Sequence, residues 1–350
     1  MLRAALIGSG RIARQHLACL RQRPEVNLTA VCDLSPVTAE FAAERYGVSR
    51  WFTDHRRMLR EIRPDVVHVT TPPQSHFDLA MDALDAGAHV IVEKPAAVVY
   101  EDVVKLIERA QKVRRVLVEN YNYVFSRPVR QLLELLRSGQ AGAVHHVDVA
   151  MCLAIDTPGG AFVDPNVPHP ALSLPAGAIS DFLPHLASLA HAFVGPHRSL
   201  SAHWDKVDYA TPLPYDEFRA LVAARDGTAS LSFSSHTQPD GFSVRVYADR
   251  LKATIGLFEQ SLAVERVRDL PKPLVPVLNG LHQGREASRA AVAGLWAKLG
   301  GGPGTYEGLW ELLAQTYQAL GSGGQVPVSL DQVAEVNRLV DDLVDERNRL

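Results

Sequence analysis

The sequence has little that would direct it to nucleic acid or to a membrane. Its 350 residues carry 36 Lys and Arg against 39 Asp and Glu, with no Lys/Arg-rich run. The excess of positive charge that binds a phosphate backbone is therefore missing. No segment reaches the roughly 18 apolar residues that a membrane-spanning helix needs. We expect neither nucleic acid nor a membrane as a partner.

Cysteine is scarce as well. Only Cys19, Cys32 and Cys152 occur, an odd number without the close spacing of a disulfide framework or a zinc site. The first eight residues offer no hydrophobic region of a signal peptide, because their apolar run is short and leads directly into glycine. These absences predict a cytoplasmic protein and give no indication of a bound metal.

The apolar content is ample, at 47% of the residues, and the length predicts roughly two domains. Up to residue 121, short apolar runs alternate with helical stretches, which is the βαβ rhythm of a parallel sheet. The predicted strands are 4–7, 28–32, 66–69, 90–92 and 116–118. Because these runs are nearly all apolar, both faces of the sheet should be covered. We predict a first domain over residues 1–121, built on a parallel sheet.

From residue 122 the pattern changes to alternating apolar and polar residues, as at 144–149, 228–233 and 242–247. Such strands have one buried and one wet face. We therefore predict a second domain over residues 122–350, with a mostly antiparallel sheet. Residues 156–175 contain five prolines and predict a long, functional loop. Ser329 and Gln332 form a capping box before the last predicted helix.

A glycine turn, Gly8-x-Gly10-x-x-Ala13, lies between the first predicted strand and the first helix. In this context glycines let the backbone approach a pyrophosphate at the helix N-terminus. Asp33 ends the next strand about 20 residues after Ala13, where a carboxylate can accept hydrogen bonds from an adenosine ribose. The structural alternative is Asp33 as the cap of the following helix. A carboxylate there repels a 2′-phosphate and favours NAD over NADP, although Arg11 could meet a phosphate.

Two further segments follow predicted strands. Ligands of an open parallel sheet bind beyond the carboxyl ends of its strands, so Lys94 of Glu93-Lys94-Pro95 is predicted to meet the nicotinamide end of a cofactor. The alternative is a solvated lysine at a strand end. Thr71-Pro72 follows residues 66–69 and can contact the cofactor, although the same segment reads as a proline-rich turn before a helix.

Asp181 and His185 are four residues apart and share a face if their segment is helical. A neighbouring carboxylate orients an imidazole and raises its pKa, as a general base acting on a hydroxyl requires. By spacing alone a structural role for the pair is the more common outcome.

Together these residues resemble the glucose-fructose oxidoreductase, inositol dehydrogenase and rhizopine-catabolism family, written Gfo/Idh/MocA. The resemblance rests on five segments: Gly8-x-Gly10-x-x-Ala13, Thr71-Pro72-Pro73-x-x-His76, Ala86-Gly87-x-His89-Val90-x-x-Glu93-Lys94-Pro95, Tyr121-Asn122, and Gly177-x-x-x-Asp181-x-x-x-His185.

The resemblance implies an α/β fold, in which a Rossmann domain precedes a domain whose open sheet often mediates oligomerisation, here as a homodimer or homotetramer. It implies that Lys94 and His185 flank the substrate hydroxyl beside the nicotinamide, that Asp181 orients the pair, and that the Lys94-Pro95 peptide is cis. The residues expected to bind the cofactor are Gly8, Gly10, Arg11, Ile12, Asp33, Thr71, Pro72, His76, Glu93, Lys94 and Asn122.

The function implied is NAD-dependent hydride transfer from a hydroxyl of a sugar, cyclitol or nucleotide-sugar, with NADP the less favoured cofactor. His185 would take the hydroxyl proton while Lys94 stabilises the oxygen, although Lys94 could itself be the base. Two alternatives remain: redox-assisted glycoside cleavage and a non-catalytic, cofactor-binding regulator. Tyr123, Arg127 and His169 are candidate substrate contacts, and Arg127 could meet a carboxylate or diphosphate.

Overall fold

The computed structural model describes residues 1–155, 162, 169–211, 213–268, 271, 273–299 and 304–346. The chain divides into two compact units. The first contains Met1–Tyr121 and Leu309–Arg338, and the second contains Asn122–Gly308 and Leu339–Leu350.

The first unit is built on a six-stranded parallel sheet. Its strands are β1 (Leu2–Ile7), β2 (Val26–Cys32), β3 (Trp51–Phe52), β4 (Val66–Val69), β5 (His89–Val92) and β6 (Leu117–Glu119). Their spatial order, β3-β2-β1-β4-β5-β6, is that of a Rossmann fold. The connecting helices are α1 (Ala13–Arg21), α2 (Pro36–Tyr46), α3 (His55–Ile62), α4 (His76–Asp85) and α5 (Tyr100–Val113). The five predicted strands are confirmed, and the two-residue strand β3 was missed because it is too short to show a period.

The second unit is built on a seven-stranded sheet in the order β13-β12-β11-β7-β10-β9-β8. Its strands are β7 (Val144–Cys152), β8 (His197–Asp205), β9 (Glu217–Ala224), β10 (Thr228–Ser234), β11 (Gly241–Ala248), β12 (Leu251–Gly256) and β13 (Ser261–Arg266), and its helices are α6 (Arg127–Arg137), α7 (Ala178–Val194) and α8 (Leu274–Leu299). β7 and β10 are parallel, and the other neighbouring pairs are antiparallel.

The alternation in β7 shows how this sheet is buried. Val147, Val149 and Met151 are fully buried on the face that contacts α7, whereas His146 and Asp148 on the other face remain partly accessible. The predicted combination of a parallel Rossmann sheet and a mostly antiparallel second sheet is therefore confirmed.

The two last helices, α9 (Glu307–Ser322) and α10 (Leu330–Asp345), pass from one unit into the other. The capping box at the start of α10 is present, because Gln332 N–H donates to Ser329 Oγ at 3.1 Å and Ser329 N–H donates to Gln332 Oε1 at 3.0 Å. The prediction assigned all of residues 122–350 to the second domain. The structure differs for Leu309–Arg338, because α9 carries the buried residues Leu309, Leu312, Leu313 and Tyr317 at helical spacing and these belong to the first unit.

Candidate active site

The turn after β1 is shaped for close approach of a ligand. Gly8 has a φ of 93°, and a Cβ at this position would lie 2.5 Å from the Thr71 side chain, so only glycine fits. Gly10 faces open space, with nothing within 4 Å of where a Cβ would lie. α1 then begins without a side-chain cap and without an acidic residue in its first turn, which leaves its N-terminal N–H groups available to an anion.

Asp33 lies at the end of β2 beside this turn. Its carboxylate accepts hydrogen bonds from the N–H of Ser9 at 2.7 Å and of Ser35 at 2.9 Å. The cap of α2 is Ser35, whose Oγ accepts from the N–H of Thr38. The alternative reading of Asp33 as that cap is therefore wrong. The two backbone donors fix the carboxylate and leave it acceptor capacity for a ribose hydroxyl.

His76 holds two loops together. Its Nδ1 lies 2.7 Å from the carbonyl oxygen of Pro95, and its Nε2 lies 2.8 Å from that of Thr71. Burial lowers the pKa of His76, while these two carbonyl groups act in the opposite direction. The ring is inaccessible to solvent and both nitrogens are used. His76 thus joins Thr71 to the Lys94-Pro95 segment, and its contact with the cofactor stays a prediction.

The segment after β5 carries the central lysine. The Lys94-Pro95 peptide is cis, as the resemblance implies. Lys94 is half-buried, and its charge acts to lower the pKa of two buried carboxyl groups, Glu93 and Glu119, although burial still raises the pKa of Glu119 overall. The next helix, α5, begins after Val99 without a side-chain cap.

Glu93 faces inward. It accepts hydrogen bonds from His16 Nε2 at 2.8 Å and from Asn120 Nδ2 at 2.6 Å, and only 7% of the residue is exposed. Burial opposes its ionisation, but the interaction with His16, the hydrogen bond from Asn120 and the charge of Lys94 outweigh burial and lower the pKa of Glu93. The predicted contact of Glu93 with the cofactor stays a prediction, and its hydrogen bonds go to His16 and Asn120. His16 and Asn120 were missed, although Asn120 directly follows a strand end.

In the second unit, α7 brings Asp181 and His185 onto one helix, four residues apart, as predicted. Gly177 precedes this helix with a φ of 63°, and a Cβ there would lie 2.7 Å from Pro214. The turn that starts the helix therefore requires glycine.

Tyr123 contacts this helix directly. Its ring lies edge-on to the His185 ring, with 4.8 Å between centroids, and it packs in the same way on Phe242. Burial raises the pKa of Tyr123 to about 12, so its hydroxyl remains a hydrogen-bond donor near neutral pH. Tyr123 is therefore placed beside His185, as a substrate contact would be.

The other residues predicted for substrate and cofactor in this unit differ in their surroundings. Asn122 has a buried Oδ1 without a hydrogen-bond partner among the described residues, which suits a group that awaits a ligand. His169 accepts from Ala171 N–H at 3.2 Å and packs on the Phe162 ring at 4.2 Å. Arg127 is exposed at the start of α6. Most of the proline-rich loop, 156–161 and 163–168, lies outside the described residues.

The described residues contain no group of three or more His, Cys, Asp or Glu side chains arranged to hold a metal ion. None of the helices in the described ranges combines the length and the apolar character needed to cross a membrane.

The strand order, the glycine turn and Asp33 define the first unit as a dinucleotide-binding Rossmann domain. The turn also fits the cofactor physically, since Ser9 Oγ is buried without a hydrogen-bond partner among the described residues and Gly10 opens onto free space. Residues 2–121 match the model of the oxidoreductase family with an NAD-binding Rossmann fold. The chain is therefore similar to this NAD-binding oxidoreductase family over the residues of its Rossmann domain.

Curated relatives cover the same part of the chain. It is 34% identical over 145 residues to D-glucoside 3-dehydrogenase of Escherichia coli (strain K12), a match that covers 41% of each chain. It is 30% identical over 144 residues to inositol 2-dehydrogenase of Salmonella typhimurium, covering 40% of this chain and 43% of the relative. The match thus spans about two fifths of these curated relatives.

Solved structures resemble the chain over nearly its whole length. A levoglucosan dehydrogenase in complex with NADH and levoglucosan has a TM-score of 0.80 at 18% identity, covering 99% of this chain and 97% of that one. GenD2 from gentamicin A biosynthesis, in complex with NAD, has a TM-score of 0.73 at 20% identity, covering 99% and 94%. At these identities the likeness supports the fold of both units.

Proposed function

We propose that this chain is an NAD-dependent dehydrogenase that oxidises a secondary hydroxyl of a sugar, a cyclitol or a nucleotide-sugar. The observation that carries the proposal is Lys94, half-buried after β5 of an NAD-binding fold and electrostatically coupled to two buried carboxyl groups. The similarity to D-glucoside 3-dehydrogenase and inositol 2-dehydrogenase supports the substrate class.

The proposed cofactor contacts are Gly8, Gly10, Arg11, Ile12, Asp33, Thr71, Pro72 and Asn122, with Glu93 and His76 in supporting roles behind them. When bound, NAD supplies the hydride acceptor. Asp33 favours NAD over NADP, because its carboxylate accepts from ribose hydroxyls and repels a 2′-phosphate.

In the proposed mechanism His185 accepts the proton of the hydroxyl as the hydride leaves the same carbon. The Lys94 ammonium group donates a hydrogen bond to that oxygen and stabilises the negative charge that develops on it. Asp181 orients the catalytic imidazole. Lys94 acting as the base is the alternative within this mechanism. Loss of the base should matter least for a substrate whose hydroxyl is more acidic. The base is therefore the residue whose alanine variant, His185→Ala or Lys94→Ala, keeps more activity with such a substrate.

Tyr123, Arg127 and His169 are the proposed substrate contacts. The edge-on packing of Tyr123 against His185 supports its place beside the reacting hydroxyl. The exposed guanidinium of Arg127 suits a carboxylate or diphosphate on the substrate. Arg127→Ala should therefore weaken the binding of a nucleotide-sugar more than the binding of a free sugar.

A panel of substrates tests the proposal. The purified chain is incubated with NAD and, separately, with methyl β-D-glucopyranoside, levoglucosan, myo-inositol or UDP-N-acetylglucosamine, while nicotinamide absorbance is followed. At least one compound should give NADH in proportion to enzyme, and NADP should give less. Product without net NADH would favour redox-assisted glycoside cleavage, and a silent panel with intact NAD binding would favour a non-catalytic regulator.

We further propose a homodimer or homotetramer formed through the second sheet, and a cytoplasmic location. The partly accessible face of β7 supports the first proposal. The free cysteines support the second, since Cys19 and Cys32 are buried and burial raises the pKa of the Cys32 thiol to about 12, which keeps it unreactive. Light scattering and cell fractionation are the respective tests.

A further inference from the structure

Four polar side chains form a continuous hydrogen-bonded chain inside the first unit. Tyr317 Oη lies 2.8 Å from His68 Nε2, His68 Nδ1 lies 2.8 Å from His16 Nδ1, and His16 Nε2 lies 2.8 Å from Glu93 Oε1. These residues belong to α9, β4 and α1 and to the segment after β5. Neither imidazole is accessible to solvent, and Tyr317 is 1% exposed. We call these four residues the Tyr317–Glu93 chain.

The hydrogen bonds of this chain have one favourable direction. The two Nδ1 atoms face each other, so one ring must donate and the other must accept. The Tyr317 hydroxyl has His68 as its one hydrogen-bond partner among the described residues, and a buried O–H without an acceptor is strongly unfavourable. Tyr317 therefore donates to His68 Nε2, and His68 Nδ1–H donates to His16.

The rest of the chain follows from this choice. His16 accepts at Nδ1, so its proton is on Nε2, from where it donates to Glu93. His68 is then neutral. Burial lowers the pKa of His68 well below its ordinary value, in agreement with a neutral ring.

The chain ends next to the reacting lysine. Asn120 donates a hydrogen bond to Glu93 Oε1, the same atom that accepts the hydrogen bond from His16. Two donors from different parts of the chain therefore fix this carboxylate. Glu93 precedes Lys94 directly, and the lysine charge helps to lower the pKa of Glu93. The position of the carboxylate therefore bears on the position of the ammonium group.

We propose that Tyr317, His68 and His16 are positioning residues of the reaction, which fix the Glu93 carboxylate and through it the Lys94 ammonium group. The inference rests on the proposed dehydrogenase function, and it assigns to α9 a part in the chemistry that no motif of the sequence indicated. Packing alone does not require this chain, because apolar side chains of similar volume fill buried space at least as well.

The variant Tyr317→Phe removes the terminal hydroxyl and leaves the ring in place. Its matched control is Thr316→Val on the same helix, where the buried hydroxyl donates to the Leu312 carbonyl outside the chain. With NAD and the fastest sugar of the panel, Tyr317→Phe should lower kcat about fivefold with both KM values within about twofold. Thr316→Val should stay close to the wild type.

A double-mutant cycle shows whether the effect runs through Glu93. If it does, Tyr317→Phe has no further effect on kcat in a Glu93→Gln background. An equal loss in both backgrounds would overturn the proposal, and so would an unchanged kcat in the single variant.

A substrate-independent measurement separates this proposal from the proposed function. The ¹³Cε signal of Lys94, assigned by its loss in Lys94→Met, should move in Tyr317→Phe and stay in Thr316→Val. The ring ¹⁵N signals of the wild type should show an Nδ1–H tautomer at His68 and an Nε2–H tautomer at His16. An unmoved Lys94 signal, or an Nε2–H tautomer at His68, would contradict the inference even if no sugar is oxidised.

Discussion

Two buried glutamates lie at the ends of neighbouring strands of the first sheet, yet their pKa values are shifted in opposite directions. Glu93 follows β5 and Glu119 ends β6, and both are shielded from solvent. At Glu93 the interaction with His16, the hydrogen bond from Asn120 and the charge of Lys94 outweigh burial and lower the pKa. At Glu119 burial dominates and raises the pKa to about 7. Equal burial therefore does not give equal pKa values, and the groups around each carboxyl decide the direction of the shift.

The donors at Glu119 also come from distant parts of the chain. Asn337 on α10 donates from Nδ2, and the Tyr121 hydroxyl donates at 2.9 Å, both to Oε2. These bonds oppose the effect of burial without overcoming it. Glu119 thus differs from Glu93 in the balance between burial and hydrogen bonding.

The largest effect is expected when the cation shared by both carboxyl groups is removed. Lys94→Ala should lower turnover at least ~10²-fold, because the developing oxyanion loses its donor, and His185→Ala should do so because the proton loses its acceptor. NADH binding, followed by fluorescence, should persist in both. Lys105→Ala and His203→Ala change exposed residues of the same types and serve as controls. Near-normal turnover in both site variants would end this mechanism.

Stability should depend on pH through Glu119. Its pKa of about 7 in the folded chain exceeds the ordinary value of 4.5, so the folded state holds more protons between these values. The free energy of unfolding should therefore fall as pH rises through this window, by about 3 kcal/mol for this group. Urea unfolding between pH 5 and 8 measures it, and Glu119→Gln should flatten the slope. A slope unchanged in Glu119→Gln would contradict the raised pKa.

A third strand-end carboxylate, Asp33, extends the comparison to a group that is partly accessible and held by backbone donors. Asp33→Asn should weaken NADH binding about tenfold, since hydrogen bonds to a charged acceptor are lost. NADPH should lose less, because the repulsion of its 2′-phosphate disappears. Fluorescence titrations with both dinucleotides test this, with Asp102→Asn, at a partly accessible carboxylate on α5, as control. Equal losses for both would argue against ribose recognition by Asp33.

The smallest expected effect separates the two buried glutamates in catalysis. Glu93→Gln should lower kcat about tenfold, because the anion fixed behind Lys94 is lost. Glu119→Gln should change kcat by less than about twofold at pH 6, because this carboxyl group is largely protonated there and the substitution removes little charge. Steady-state kinetics on the same sugar measure both. Equal losses in the two variants would remove the distinction drawn between them.

Much of the first unit could be predicted from the sequence, because its signals are local. The glycine turn, Asp33 and the strands before Lys94 are each read from fewer than about 10 consecutive residues. The assignment of Leu309–Arg338 to the first unit could not be read in this way, since it depends on which core the apolar face of α9 joins. Helical periodicity identifies such a face and leaves its partner open.

The hydrogen-bonded residues behind Lys94 could not be predicted from the sequence either. His68 interrupts the valines of β4, and His16 lies in α1, and both are buried polar residues in apolar surroundings. Each alone reads as an isolated histidine, and only the fold brings their nitrogens within 2.8 Å. Glu93 was assigned to the cofactor because it is next to Lys94, whereas its hydrogen bonds face the interior.

Isotope transfer tests the central claim most directly. The panel sugar with the highest rate is prepared with deuterium on its ring carbons and incubated with NAD, and the NADH formed is examined by mass spectrometry. Direct hydride transfer predicts NADH that carries deuterium, formed in step with the oxidised sugar and lost in Lys94→Ala and His185→Ala. Unlabelled NADH, or an altered sugar without net NADH, would contradict the account.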